Sequence, residues 1–416
     1  MLPVTAAVDA VTLPVEERVL DNGLTVLVHP DHRAPILAVS VVYRAGSARD
    51  PAEAPGLAHL VEHLMFEGSP AAPNNAYDSW LAQVGAANNA WTEPDLTAFY
   101  AWGPPGMLDL ALFLEADRMA GLEPGKDALA NQLAIVEQER RQTLAGDRAW
   151  ARRAVDAAIW PPAHPYHRPV LGADELALVD LQVVLDHADR WLVPANAVLV
   201  VAGDVAPAAA FAAAERWFAE LPPGAPAPPL EGPPARHGRW YAEPGRANPE
   251  VWVSWPLAPE HDALAVLLAE VLDERVGALV GRSVLDAGAS SWSGELGGLL
   301  SLDLAVAERG TARAARRLRR SLKRVARFGV PRASLDRAAM RLWSETLTDL
   351  EDVASRASTL GWCHARTGRP DCTEQRVATW LGAEPDDLRD LARVLLEREP
   401  TIVHLSEPIG TYLELP

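Results

Sequence analysis

Pro222-Pro-Gly-Ala-Pro-Ala-Pro-Pro-Leu-Glu-Gly-Pro-Pro234 holds seven prolines in thirteen residues. Proline fixes φ and has no amide hydrogen, so this stretch can continue neither a helix nor a central strand and reads as an extended, semi-rigid connector. It divides the 416-residue chain into halves of about 220 and 180 residues, and the two halves read alike. In the first, Pro35-Ile-Leu-Ala-Val-Ser-Val-Val-Tyr43 predicts a strand, followed by a helical pattern over Gly56 to Glu67. In the second, Pro249-Glu-Val-Trp-Val-Ser-Trp255 precedes a helical run from Asp262 to about Val280. The halves close alike as well, on Ala197-Val-Leu-Val-Val-Ala-Gly203 and Thr401-Ile-Val-His-Leu405. A repeat of this length is a duplicated domain, since solenoid units run to about 20 to 50 residues. The expected fold is α+β with two homologous domains, 1–221 and 236–416, joined by a linker over 222–235. Each domain would carry a mixed or antiparallel sheet covered by helices. Gly23 to Val28 and Ile36 to Tyr43 read as neighbours joined in a hairpin.

Composition narrows the function. An apolar content of 49% fills more than one core, and 38 Lys and Arg against 56 Asp and Glu give a net charge of −18. That sign disfavours nucleic acid and anionic membranes as partners. Two cysteines, Cys363 and Cys372, cannot form a disulfide framework or a cysteine-rich zinc module; they could pair with each other or stay as free thiols. No apolar run reaches the ~18 residues of a membrane span, so a soluble chain is expected. The opening residues lack the basic and apolar segments of a secretory signal, which leaves cytoplasm and periplasm both open.

The chemistry concentrates in Gly56-Leu-Ala-His-Leu-Val-Glu-His-Leu-Met-Phe66. On a helix, His59 and His63 fall on one line about 6 Å apart, so both imidazoles can reach one metal ion, and Glu62 sits on the flank, placed to hold a water. This is the inverted form of the His-Glu-x-x-His zinc helix. Three ionisable groups on one apolar turn are costly to bury without a partner, and a metal supplies one. A catalytic zinc site needs a third ligand, commonly a carboxylate. The helical segment Asn131-Gln-Leu-Ala-Ile-Val-Glu-Gln-Glu-Arg-Arg-Gln142 offers Glu137 and Glu139 on different faces, and spacing does not choose between them.

These elements, taken with Leu20-Asp-Asn-Gly-Leu-Thr-Val-Leu-Val-His-Pro30, Asn89-Ala-Trp-Thr92, Glu139-Arg-Arg-Gln142 and Pro194-Ala-Asn-Ala-Val-Leu-Val-Val-Ala-Gly-Asp204, resemble the pitrilysin/insulinase family of zinc peptidases. The length resembles the branch related to mitochondrial processing peptidase, in which two two-domain chains close into a clam-like chamber. The resemblance implies one Zn2+ per chain, held by His59, His63 and Glu139, with Glu62 as general base. It makes Asn89 and Ala90 part of an edge strand on which a substrate peptide adds. Family members tend to carry an acid seven positions before the third ligand; here that residue is Gln132. The implied activity is endopeptidase cleavage of short or unfolded peptides, with basic ones favoured if the acidic excess lines the chamber.

The second half departs from the family. An Arg and a Tyr seven positions apart are expected to hold the scissile carbonyl. Arg282 fits the first, but no tyrosine lies between Tyr241 and Tyr412. Loss of oxyanion stabilisation costs a few kcal/mol. The expectation is therefore a catalytic subunit of a heterodimer whose partner supplies the Arg/Tyr pair; the alternative is a homodimer using Arg282 with a substitute donor such as Trp292. A non-catalytic scaffold of the same fold is the rival class. His164-Pro-Tyr-His167 reads as a packed loop in preference to a second metal site.

Overall fold

The computed structural model describes residues 4–242, 248–307 and 310–405. The first half builds one sheet from β1 (Glu16–Val19), β2 (Thr25–Pro30), β3 (Leu37–Tyr43), β4 (Ala87–Thr92), β5 (Thr97–Gly103) and β6 (Ala197–Gly203), in the order β1-β2-β6-β3-β5-β4. The second half builds another from β7 (Gly238–Ala242), β8 (Glu250–Leu257), β9 (Val284–Gly294), β10 (Gly297–Val306) and β11 (Thr401–Leu405), in the order β7-β11-β8-β10-β9. Without β1 the two orders superpose, and each has one parallel pair, β2 with β6 and β7 with β11. The repeat read from the sequence is thus a repeat of topology. The proline-rich stretch carries neither helix nor strand.

One pairing differs from expectation. β2 and β3 are not a hairpin: β6 lies between them, parallel to β2 and antiparallel to β3. The segment from Asp31 to Ile36 steps over that strand, a separation of about 10 Å that a few extended residues span easily. True hairpins join β1 to β2 and β4 to β5.

Every residue of β3 and β6 is buried, because both faces of the first sheet are covered. On one face, Val39, Val41, Leu199 and Val201 pack with Leu57, Leu60 and Leu64 of the helix Leu57–Leu64 and with Phe211 and Phe218 of the helix Pro207–Phe218. On the other, Val42, Val198 and Val200 meet Val353, Ala357 and Leu360 of the helix Val353–Thr367, an element of the second half. That helix lies so close that a Cβ at Gly361 would sit 2.6 Å from Val42 Cγ2, which only glycine avoids. The exchange is reciprocal. Ala151, Val155 and Ile159 of the helix Asp147–Ile159 cover Trp252, Leu299 and Val403 of the second sheet.

The first described helix, Val4–Asp9, also crosses over: Trp343 donates to the Ala7 carbonyl at 2.9 Å, and Val11 joins the second core. Cys363 and Cys372 form a disulfide between the helices Val353–Thr367 and Cys372–Gly382. No described helix is long and apolar enough to cross a membrane.

Candidate metal centre

The helix Leu57–Leu64 buries every residue except His63. Its N-terminus is fixed by the buried Asp50, whose carboxylate accepts the amides of Gly56 (2.7 Å) and Ala58 (2.9 Å), satisfying donors a helix start leaves free. Gly56 enters with φ +94, and a Cβ there would strike Gly172. The histidines are thus carried on a turn clamped at its entrance.

The helix Ala128–Ala145 crosses this turn and points Glu139 at both imidazoles: Glu139 Oε2 lies 3.3 Å from His63 Nε2 and 3.8 Å from His59 Nε2. One ligand atom from each of the three residues lies within 4.8 Å of the other two. Tetrahedral zinc with bonds of about 2.1 Å separates its ligand atoms by roughly 3.4 Å, so this donor set fits such an ion with little movement. Glu137 turns away, bound to Arg140 (2.7 Å) and Arg141 (2.5 Å). The geometry separates the two carboxylates that spacing left equivalent.

Burial lowers His59 to about 4, with the His63 charge adding to the effect, so its imidazole is neutral at pH 7 and keeps a lone pair to offer. Its buried Nδ1 has no partner among the described residues. His63 is held: its Nδ1 lies 3.0 Å from Gln132 Oε1, and Gln132 Nε2 donates to Glu67 Oε1 at 2.5 Å. Gln132 and Glu139 are two turns apart on one helix, so the residue that orients His63 and the carboxylate beside it share a face. The sequence reading of Gln132 as an uncharged neighbour is therefore incomplete, since the relay ends on a carboxylate one step further out.

Glu62 lies beside the cluster. Burial raises its carboxyl above the usual range, Glu139 raises it further, and Thr92 and His63 pull it back. Thr92 Oγ1 lies 2.5 Å from Glu62 Oε2 and 3.2 Å from Thr97 Oγ1. Thr92 ends β4, which among the described residues pairs on one side only, with β5. Asn89 and Ala90 lie on this edge strand opposite Tyr100 and Phe99. The open edge therefore runs up to the carboxylate.

Arg282 precedes β9 and lines a cavity of about 320 Å³ with Arg313 and Arg317. Trp292, on β9, meets the first half edge-to-face, its ring 4.9 Å from that of Tyr166. His164 stacks on Trp160 (4.4 Å) and accepts the Tyr166 amide, and His167 Nδ1 bonds the Trp160 carbonyl, so this loop is packed as expected. Sequence reasoning missed Asp50, Glu67 and the role of Thr92. Of these only Glu67 left a signal, four residues after His63 in a helical pattern.

The family model described as insulinase (peptidase family M16) matches residues 25–173, and the one described as peptidase M16 inactive domain matches 179–342. Zinc protease PqqE of Helicobacter pylori is 28% identical over 215 residues, 50% of this chain and 48% of that protein. The chain thus spans about half the length of that relative. A crystal structure of a protease from Helicobacter pylori superposes with a TM-score of 0.81 at 20% identity, covering 95% of this chain and all (100%) of that one. The peptidase M16 inactive domain from Pseudomonas fluorescens gives 0.82 at 16% identity, covering 96% and 99%. At these identities the superpositions establish the fold.

Proposed function

The chain belongs to the insulinase family of peptidases, M16, and from that premise we propose that it is a zinc-dependent endopeptidase. In this reading His59, His63 and Glu139 hold the ion. The observation that carries it is the convergence of those three donors, with Glu62 buried beside them. When bound, zinc supplies a Lewis acid that polarises a carbonyl and brings the pKa of water from 15.7 toward about 7.

The protein's own groups do the rest. Glu62, its carboxyl raised by burial, takes a proton from the attacking water and returns it to the leaving amine. Thr92 holds that carboxylate toward the site. The open edge of β4 at Asn89 and Ala90 receives a short or unfolded peptide as an added strand, through main-chain hydrogen bonds that ignore side-chain identity. The metal-bearing half is 1–221, and the half after the linker, 236–416, supplies no ligand among its described residues.

Arg282 shares its cavity with two other arginines and has no tyrosine after it before Tyr412. We therefore assign the Arg/Tyr pair to a second, homologous chain in a heterodimer; a homodimer is the alternative. The disulfide supports an oxidising compartment. The second reading is a non-catalytic scaffold, which the match of residues 179–342 to the inactive-domain model leaves open. Metal analysis separates the two: about one zinc per chain, with turnover lost and zinc kept in Glu62→Gln, is expected for the enzyme. Metal-free protein purified in the presence of zinc, or full cleavage by Glu62→Gln, sinks the peptidase reading.

A further inference from the structure

The helix Thr311–Phe328 carries seven arginines and Lys323 and no acidic residue. Removing those eight from the 38 Lys and Arg leaves 30 against 56 Asp and Glu, a charge of −26 on the rest of the chain. Eight of the 38 cations thus lie on one element that carries no acid of its own. Ala314, Leu318, Leu322 and Val325 face the core, and the cations from Arg313 to Arg327 other than Arg319 are exposed. At 100° per residue these seven fall within an arc of about 120° and form a ridge about 21 Å long. Among the described residues only Arg319 of the eight is ion-paired, with Glu399 at 2.9 Å.

The two ends of the ridge say what it meets. At the N-terminal end, Arg282, Arg313 and Arg317 line a cavity of about 320 Å³ together with Ser283, and among the described residues its lining holds no carboxylate. Three guanidinium groups around one volume suit a phosphoryl group better than a single carboxylate, because it offers more acceptor oxygens at higher charge density. At the C-terminal end Phe328 is 69% exposed, with the Arg327 guanidinium 4.9 Å from its ring centroid. A line of cations between an arginine-lined pocket and a bare aromatic ring fits the interface of a lipid leaflet.

We propose that this face docks the protein on the anionic headgroup surface of a phospholipid bilayer, with a headgroup phosphate seated among Arg282, Arg313 and Arg317. The apolar side of the helix is used in the core, so the attachment is peripheral, electrostatic and salt-labile. Whole-chain charge argues against an anionic partner; its distribution reverses that on this face alone.

The test sediments the full chain with phosphatidylcholine vesicles, with and without about 30 mol% phosphatidylglycerol, at low and high salt. Binding is expected only with phosphatidylglycerol and is lost at high salt. Replacing Arg316, Arg320 and Lys323 together by Gln lowers the partition constant about 100-fold, at about fivefold per charge, with the melting temperature unchanged. Failure of the wild-type chain to bind at low salt, or equal binding by the triple variant, overturns the proposal. Two further outcomes overturn it in favour of another ligand. One is tight binding of inorganic pyrophosphate that replacing Arg282, Arg313 and Arg317 by Gln abolishes and that vesicles do not compete. The other is salt-labile self-association without vesicles that the Arg316, Arg320 and Lys323 variant removes.

Discussion

Gln132 links His63 to Glu67, with 3.0 Å on one side and 2.5 Å on the other. Outer-shell partners of this kind fix the tautomer and aim the other ring nitrogen at the metal, and their loss typically costs about 10- to 100-fold in affinity. Gln132→Ala should therefore weaken zinc binding by about 1.4 to 2.7 kcal/mol. The more telling change is Gln132→Glu. It places a carboxylate against Glu67 at hydrogen-bond range, where like charges repel by about 4 kcal/mol at 4 Å and an effective dielectric of 20. The pair then retains a proton between them, so the added acid brings His63 little extra charge. Gln132→Glu alone should bind zinc no tighter than the wild type. With Glu67→Gln the clash disappears, and the double variant should bind about tenfold tighter than the wild type. Competition with a chromophoric chelator at neutral pH reads all four affinities without reference to turnover. Wild-type affinity in Gln132→Ala, or a gain in Gln132→Glu alone, would show that the relay does not orient His63.

Glu139→Ala should lower zinc affinity by more than any outer-shell change, whereas Glu137→Ala, which removes only the partner of Arg140 and Arg141, should leave it within about twofold; the same titration decides. Cys363→Ser with Cys372→Ser opens a loop of sequence separation 9 and should cost about 2.6 kcal/mol by chain entropy, read from denaturant midpoints with and without reductant. Asp303, buried on β10 beside Arg148, has its carboxyl raised to about 6, with burial the main cause. Its folded pKa lies above its unfolded one, so the native state binds the extra proton between about pH 4 and 6 and stability falls as pH rises through that window. Asp303→Asn should therefore stabilise the protein by up to about 3 kcal/mol at pH 8 and change little at pH 4, measured by thermal unfolding at both values.

The sequence was informative where burial forces a simple pattern. β6 and β11 match their predicted spans because each is buried along its whole length, which favours a run of mainly apolar, β-branched residues. Pairing was less legible, because the apolar runs of β2 and β3 say that both are inside but not that β6 separates them. The helix exchange was invisible for the same reason: an amphipathic helix shows that it has an apolar face, not which sheet that face will meet. At the site, the His59–Glu62–His63 turn could be read from helical geometry alone. The distinction between Glu139 and Glu137 required knowing that Arg140 and Arg141 fold back on Glu137. Whole-chain charge hid the basic helix Thr311–Phe328, since a net value averages over surfaces that fold apart.

Each sheet is roofed by a helix borrowed from the opposite half, and a buried disulfide staples one of those roofs in place. Prising the halves apart would strip two apolar faces at once, so the molecule moves as one block, and neither half alone should survive excision at the prolines. In the proposed two-chain reading, a polypeptide would then reach the β4 edge through the seam between the chains, without any opening of this one.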